Sequence, residues 1–170
     1  MIQRSLLAAS AALTLIAFVD VPAAQASDCT APPGPKVNWT RCYLDGRNLS
    51  SENLSGAILM DATFQRAQMN EVNMSDANAF RSKFFSTQLR GAVLDGGNFS
   101  NADFTRSNLE GASLKNVDLR RARLYGTNLR EANLTGARTL GADFMYADLS
   151  GATWIDGERV CAEGSIGQCN

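Results

Sequence analysis

The sequence predicts an all-β solenoid, a chain that coils repeatedly around a narrow apolar core. Three observations predict this fold class. A large apolar residue recurs at every fifth position from Leu44 to Trp154, with only Ala79 and Thr139 as smaller exceptions. A small residue, most often Ala, precedes nearly every one of these centres by two positions, and Gly, Ser, Asn and Asp are frequent in the two positions that follow it. Such a chain turns every five residues while its large side chains stay inside.

No regular helix or strand accounts for a period of five. On a helix, successive centres would be rotated by about 140° and would form no apolar stripe. On a flat strand, an odd spacing would send successive centres to opposite faces. The pattern instead fits a short extended piece followed by a turn in every unit.

Units such as Ala132-Asn133-Leu134 and Ala147-Asp148-Leu149 resemble the pentapeptide repeat family. The resemblance implies a right-handed quadrilateral β-helix with four pentapeptides per coil, so that residues 42–156 would form about six coils. Residues 20 positions apart would then stack, and one such column collects Phe64, Phe84, Phe104 and Phe144. We therefore expect a ladder of stacked rings along that column.

The chain divides into four predicted segments. Residues 1–26 are predicted to be a signal peptide, because Arg4 lies in a basic start, an apolar run extends from Leu6 to Val19, and Ala24-Gln25-Ala26 suits cleavage. Residues 27–41 form an N-terminal cap, 42–156 the repeat and 157–170 a C-terminal cap. The apolar run is too short to span a bilayer, so we expect a secreted or periplasmic bacterial protein without membrane insertion after signal removal.

The four cysteines form one pair near each end, Cys29 with Cys42 and Cys161 with Cys169. An even count in an oxidising compartment predicts two disulfides, and the spacing does not suit zinc. A rod of about six coils places its ends about 25 Å or more apart, whereas a disulfide needs Cα atoms within about 7 Å. Both disulfides are therefore expected to be local.

Composition excludes several function classes. The sequence contains no histidine, which excludes a Ser-His-Asp triad, a Cys-His pair and a histidine-ligated zinc site. Its 16 basic and 17 acidic residues give a net charge of −1, which disfavours nucleic-acid binding and also the acidic, gyrase-binding DNA mimicry found among pentapeptide repeat proteins. We predict no catalytic residue, no cofactor and no metal site.

Several outward positions carry residues suited to contacts. Phe85, Tyr125 and Met145 share one outward column, and Tyr146 follows it. Arg120, Arg121 and Arg123 are predicted to form a basic corner. Together these seven residues form the candidate interaction face. Phe80 and Leu140 each follow a small centre, and we expect their side chains to turn inward and fill the space left there.

The sequence therefore predicts a non-enzymatic, exported repeat scaffold that mediates protein–protein interaction or has a structural role. Its partner is expected to be a protein that the sequence does not identify. The alternative is a regulator that binds and inhibits a target enzyme. A homodimer through the same outward column is left open.

Overall fold

The computed structural model describes residues 26–170, and in them the chain winds into a solenoid. Parallel β-bridges join residues 20 positions apart, from Asn38 with Ile58 at the start to Asn133 with Thr153 at the end. Because the units are five residues long, the bridges fall into four columns that run along the solenoid. The predicted solenoid is confirmed. The predicted signal peptide, apart from Ala26, lies outside the described residues.

The extended pieces are shorter than the repeat suggested. One residue in each pentapeptide forms bridges, and no longer strand and no helix occurs within residues 26–170. The N–H and carbonyl groups of the bridged residue form hydrogen bonds with the preceding coil, and its two neighbours form hydrogen bonds with the following coil. For example, the Thr63 N–H donates to the Cys42 carbonyl at 2.9 Å, and the Leu44 N–H donates to the Thr63 carbonyl at 2.8 Å. Backbone pairing therefore runs across the coils rather than along any one strand.

Two turn residues separate successive bridged units, and the second has a positive φ, as in Arg41 (60°) and Gly46 (69°). For a residue with a Cβ atom this conformation costs about 1–2 kcal/mol. A hydrogen bond to the next coil offsets that cost, since the N–H of this residue donates to a turn carbonyl, as from Arg81 to Ser100 at 3.1 Å. The corners are thus regular even where glycine is absent.

The repeat centres fill the core together with the small residues that precede them. Phe64, Phe84 and Phe104 are fully buried and stack across successive coils, with ring centroids 5.1 and 4.9 Å apart and interplanar angles of 3° and 8°. The predicted ring ladder is confirmed for these three residues. Phe144, the fourth of the column, is only half-buried, and its ring lies 5.8 Å from that of Trp154.

Polar residues of the repeat satisfy the backbone. The Asn or Asp before a centre accepts a hydrogen bond from the N–H two residues later, as Asn48 Oδ1 does from Ser50 at 3.1 Å. Where a hydroxyl residue replaces the small Ala, it donates to a backbone carbonyl, either of the preceding coil, as Ser82 Oγ does to Leu59 at 2.6 Å, or three residues earlier, as Ser107 Oγ does to Phe104 at 2.7 Å. The Asn and Asp residues that precede the centres therefore have a structural explanation.

One small position is more restricted than the others. Gly97 lies where most units have Ala, and a Cβ atom added to it would lie 2.6 Å from Phe99 Cε2 and 3.1 Å from the carbonyl oxygens of Ala77 and Leu94. The Phe99 ring is fully buried, so it has little room to move away. Glycine is required here by close packing rather than by a turn.

We expect Gly97→Ala to lower the free energy of unfolding by about 1–3 kcal/mol, because it overpacks the core. Urea unfolding measures this change. Adding Phe99→Leu should recover part of the loss, since the shorter side chain removes the closest contact. A single Gly97→Ala variant that is as stable as the parent would contradict this account.

Residues that precede Cys42 pack at the N-terminal end of the core. Trp39 is fully buried, and its Nε1 donates to the Ala31 carbonyl at 3.3 Å. The predicted disulfide joins Cys29 to Cys42, with their Cα atoms 5.4 Å apart.

The C-terminal segment folds back antiparallel on the last coil. Ile166 bridges Asp148 and Val160 bridges Thr153. The second predicted disulfide joins Cys161 to Cys169, with their Cα atoms 4.8 Å apart. Local pairing at both ends is therefore confirmed.

Candidate interaction surface

One side of the solenoid carries the candidate interaction face. Its centre is a column of bridged residues that we call the contact wall: Tyr43, Thr63, Lys83, Asp103, Arg123 and Asp143. Turn residues flank the wall on both sides. The aromatic corner contains the turns at 45–46, 65–66, 85–86, 105–106, 125–126 and 145–146. The groove corner contains those at 60–61, 80–81, 100–101, 120–121 and 140–141.

The aromatic corner brings together four of the seven predicted residues. Phe85 is half-buried, whereas Tyr125, Met145 and Tyr146 are 36%, 56% and 62% exposed. The rings of Tyr125 and Tyr146 meet edge to face, with centroids 5.3 Å apart. Because the backbone of this corner is tied across coils, for example from Gly126 N–H to the Met145 carbonyl at 2.9 Å, these side chains are presented from a rigid support.

The groove corner corrects one sequence prediction. Leu140 was expected to point inward, but its side chain is 81% exposed. Phe80 is half-buried at the surface, and the Arg81 guanidinium lies 5.1 Å from its ring centroid. Both residues line an open groove of about 470 Å³, which Arg120 and Arg121 also line. The first turn residue points outward even beside a small centre, since its backbone direction is set by the turn and not by space in the core.

Two of the three arginines in the predicted basic corner form ion pairs. Arg120 Nη2 lies 2.6 Å from Asp118 Oδ2, and Arg123 lies 3.8 Å from Asp103. Arg121 makes no ion pair with any residue in the described range. The hydrogen bonds from Arg120 hold the pKa of the Asp118 carboxyl below its usual value. Of the three arginines, only Arg121 therefore lacks an ion pair with a described residue, so the corner is less basic than its sequence suggests.

The contact wall itself is of mixed charge. Lys83, Asp103, Arg123 and Asp143 alternate in sign from one coil to the next. Such cross-strand pairs stabilise the wall modestly. Thr63, on the same wall, is buried, and its Oγ1 has no hydrogen-bond partner among residues 26–170.

The exposed side chains of this surface are suited to binding. Among residues 26–170, no group of three or more Cys, Asp or Glu side chains is placed to hold a metal ion. Nor does this part of the chain contain a helix long and apolar enough to cross a membrane. The contact wall and its corners expose apolar, aromatic and charged side chains.

The sequence found most of this surface but missed two contributors. Tyr43 is 84% exposed at the first position of the contact wall, and Leu140 is exposed on the groove corner. Tyr43 could have been found from the sequence, because it occupies the outward position before a centre. Leu140 was set aside because Thr139 beside it is small.

Fold and surface together define a class: a β-solenoid repeat protein whose candidate site is an outer wall. Sequence comparison agrees. A family model described as "Pentapeptide repeat region" matches residues 37–114, and one described as "Pentapeptide repeats (8 copies)" matches residues 122–153. The chain belongs to the pentapeptide repeat family, whose members form right-handed β-helices and are generally non-enzymatic scaffolds or binders. No curated protein matches the chain.

Solved structures of the same family are similar. HetL, a pentapeptide repeat protein involved in heterocyst differentiation regulation in the cyanobacterium Nostoc sp. strain PCC 7120, is 34% identical with a TM-score of 0.71. The match covers 72% of this chain and 57% of HetL, so the chain spans little more than half of that protein. Trypsin-treated QnrB1, a plasmid-mediated fluoroquinolone resistance protein, is 21% identical over 76% of this chain and 73% of its own, with a TM-score of 0.46. A protein from the Arabidopsis thaliana thylakoid lumen is 24% identical over 72% and 83%, with a TM-score of 0.29.

Proposed function

We propose that this protein is a non-enzymatic, exported β-helix scaffold that binds another protein through the contact wall and its two corners. One observation carries the proposal. Within the repeat, every exposed large apolar side chain lies on that side: Tyr43, Tyr125, Leu140, Met145 and Tyr146. Apolar residues scattered without function would be spread over all four columns, whereas a cluster on one side is typical of a contact surface.

We take the cross-section to be quadrilateral, with one side for each column of bridges, and the repeat of residues 42–156 to make about six coils. Residues 27–41 and 157–170 act as caps. The rigid rod that results presents its side chains at fixed spacings.

Export is proposed from the N-terminal sequence and the cysteines. Residues 1–26 have the pattern of a signal peptide. Among the described residues every cysteine is in a disulfide, which suits an oxidising compartment such as the periplasm. The mixed charge of the contact wall disfavours nucleic-acid mimicry.

A regulator that binds and inhibits an enzyme is the second candidate. It is favoured by the similarity to HetL, a protein involved in regulating differentiation. The two candidates share the contact surface and differ in what the partner does.

The test is affinity capture from periplasmic extract with the mature, oxidised protein as bait. We expect one defined partner, and at least tenfold lower recovery with the variant Phe85→Ser, Tyr125→Ser, Met145→Ser. A control variant, Asn70→Ser, Arg90→Ser, Glu110→Ser, changes the first turn positions of another corner and should retain the partner.

The outcomes separate the candidates. Equal loss with both variants would contradict the contact surface. No defined partner with the native bait would contradict binding and favour a purely structural role. A captured enzyme whose activity falls when the native protein is added, and not when the aromatic-corner variant is added, would identify the regulator.

A further inference from the structure

The C-terminal end of the solenoid is only half covered. The cap pairs with two of the four columns: the Leu149 N–H donates to the Ser165 carbonyl at 2.8 Å, and the Gly167 N–H donates to the Ala147 carbonyl at 2.8 Å. Equivalent bonds join the cap to Ala152 and Trp154. The cap therefore adds one extra antiparallel layer above Asp148 and Thr153.

The other two columns end without such a layer. Asp143 forms a bridge only with Arg123 of the preceding coil, and Arg138 forms a bridge only with Asp118 of the preceding coil. One coil earlier, the Leu124 N–H donates to Asp143 and the Ala122 carbonyl accepts from it. The corresponding groups of the last coil, the Phe144 N–H and the Ala142 carbonyl, have no partner among residues 26–170.

Apolar side chains surround these open backbone groups. Phe144 is half-buried, although the other phenylalanines of its column are fully buried. Met145 and Tyr146 project beside it from the aromatic corner, and Leu140 from the groove corner. Unpaired strand groups with exposed apolar neighbours form a template for another chain.

The cap limits what can occupy this edge. Because it raises half of the end by one layer, a flat protein surface cannot lie flush on the open half. A single extended segment fits beside the cap at the height of the cap itself. We propose that an extended segment of a partner protein adds antiparallel to residues 142–144, as Ser165–Gly167 does to residues 147–149.

The surroundings define the chemistry of that segment. Its central residue lies opposite Asp143 and points outward, where a Lys or Arg side chain forms a favourable cross-strand pair. The residues on either side point inward over Phe144 and are apolar, because alternate side chains of a strand face opposite ways. The recognised pattern is apolar–basic–apolar. This inference rests on the proposed binding function and names its partner class.

The test uses the mature, oxidised protein and a blocked seven-residue peptide of alternating valine and lysine. We expect amide hydrogen exchange at Phe144 to slow at least tenfold at saturating peptide, while Leu124, already paired, is unchanged. The same peptide N-methylated on its valines lacks the donor to the Ala142 carbonyl and should neither bind nor protect Phe144.

Two matched variants test the charge pairing. Asp143→Asn should weaken peptide binding about two- to fivefold, the range that cross-strand charge pairs produce. Asp103→Asn changes the same wall away from the edge and should leave binding unaltered. Both variants retain the side-chain oxygen that accepts from the N–H two residues later, as Asp143 does from Met145 and Asp103 does from Thr105.

Three results would overturn the inference: no binding at millimolar peptide, binding without protection of Phe144, or equal binding of the N-methylated peptide. Protection of Phe144 that rises with protein concentration in the absence of peptide would assign the edge to a second copy and overturn it as well. If any of these occurs while the aromatic-corner variant still loses its captured partner, the proposed function stands and only the edge inference fails.

Discussion

Replacing Phe84 with alanine is expected to lower the free energy of unfolding by about 3–5 kcal/mol. The Phe84 ring is fully buried and stacks between Phe64 and Phe104 at 5.1 and 4.9 Å. Its removal leaves a cavity in the middle of the ring ladder and abolishes both stacked pairs. Urea unfolding followed by circular dichroism measures the change.

The adjacent residue supplies the control. Phe85 has the same side chain but is half-buried on the aromatic corner. Phe85→Ala should cost less than about 1 kcal/mol, since surface substitutions usually have small effects. Equal losses for the two variants would show that the coils are not stacked in the register described here.

Opening the two disulfides is expected to lower the free energy of unfolding by about 2–3 kcal/mol for each bridge. The bridges close loops with sequence separations of 13 and 8 residues, so each removes conformational freedom from the unfolded chain. Comparing urea unfolding of the oxidised and reduced protein measures the sum. An unchanged midpoint after reduction would contradict the role of the bridges.

Paired serine variants assign the effect to each end. Cys161→Ser with Cys169→Ser should also speed hydrogen exchange at Leu149 and Trp154, whose N–H groups donate to carbonyls of the cap. Cys29→Ser with Cys42→Ser should leave those two amides unchanged. A variant lacking all four cysteines controls for the reductant and should not respond to it.

Much of the candidate surface was predictable because every fifth residue has the same orientation. Phe85, Tyr125 and Met145 occupy the same turn position, so their shared column followed from spacing alone. The cysteine pairing also followed from the length of the rod. The spacing could not predict the ion pairs of the arginines, in which Arg120 pairs with Asp118 and Arg123 pairs with Asp103.

The sequence by itself determined which residues lie inside, because only one face of each five-residue unit is apolar. It also determined where the chain turns and which cysteines pair. The tertiary structure decided that Leu140 points outward, that Gly97 leaves room for the Phe99 ring, and that the cap leaves residues 142–144 open. The first depends on the geometry of the turn, and the other two depend on contacts between neighbouring coils or with the cap. The residues of one pentapeptide do not show how the side chains of adjacent coils pack against it, so these features are known only from the folded solenoid.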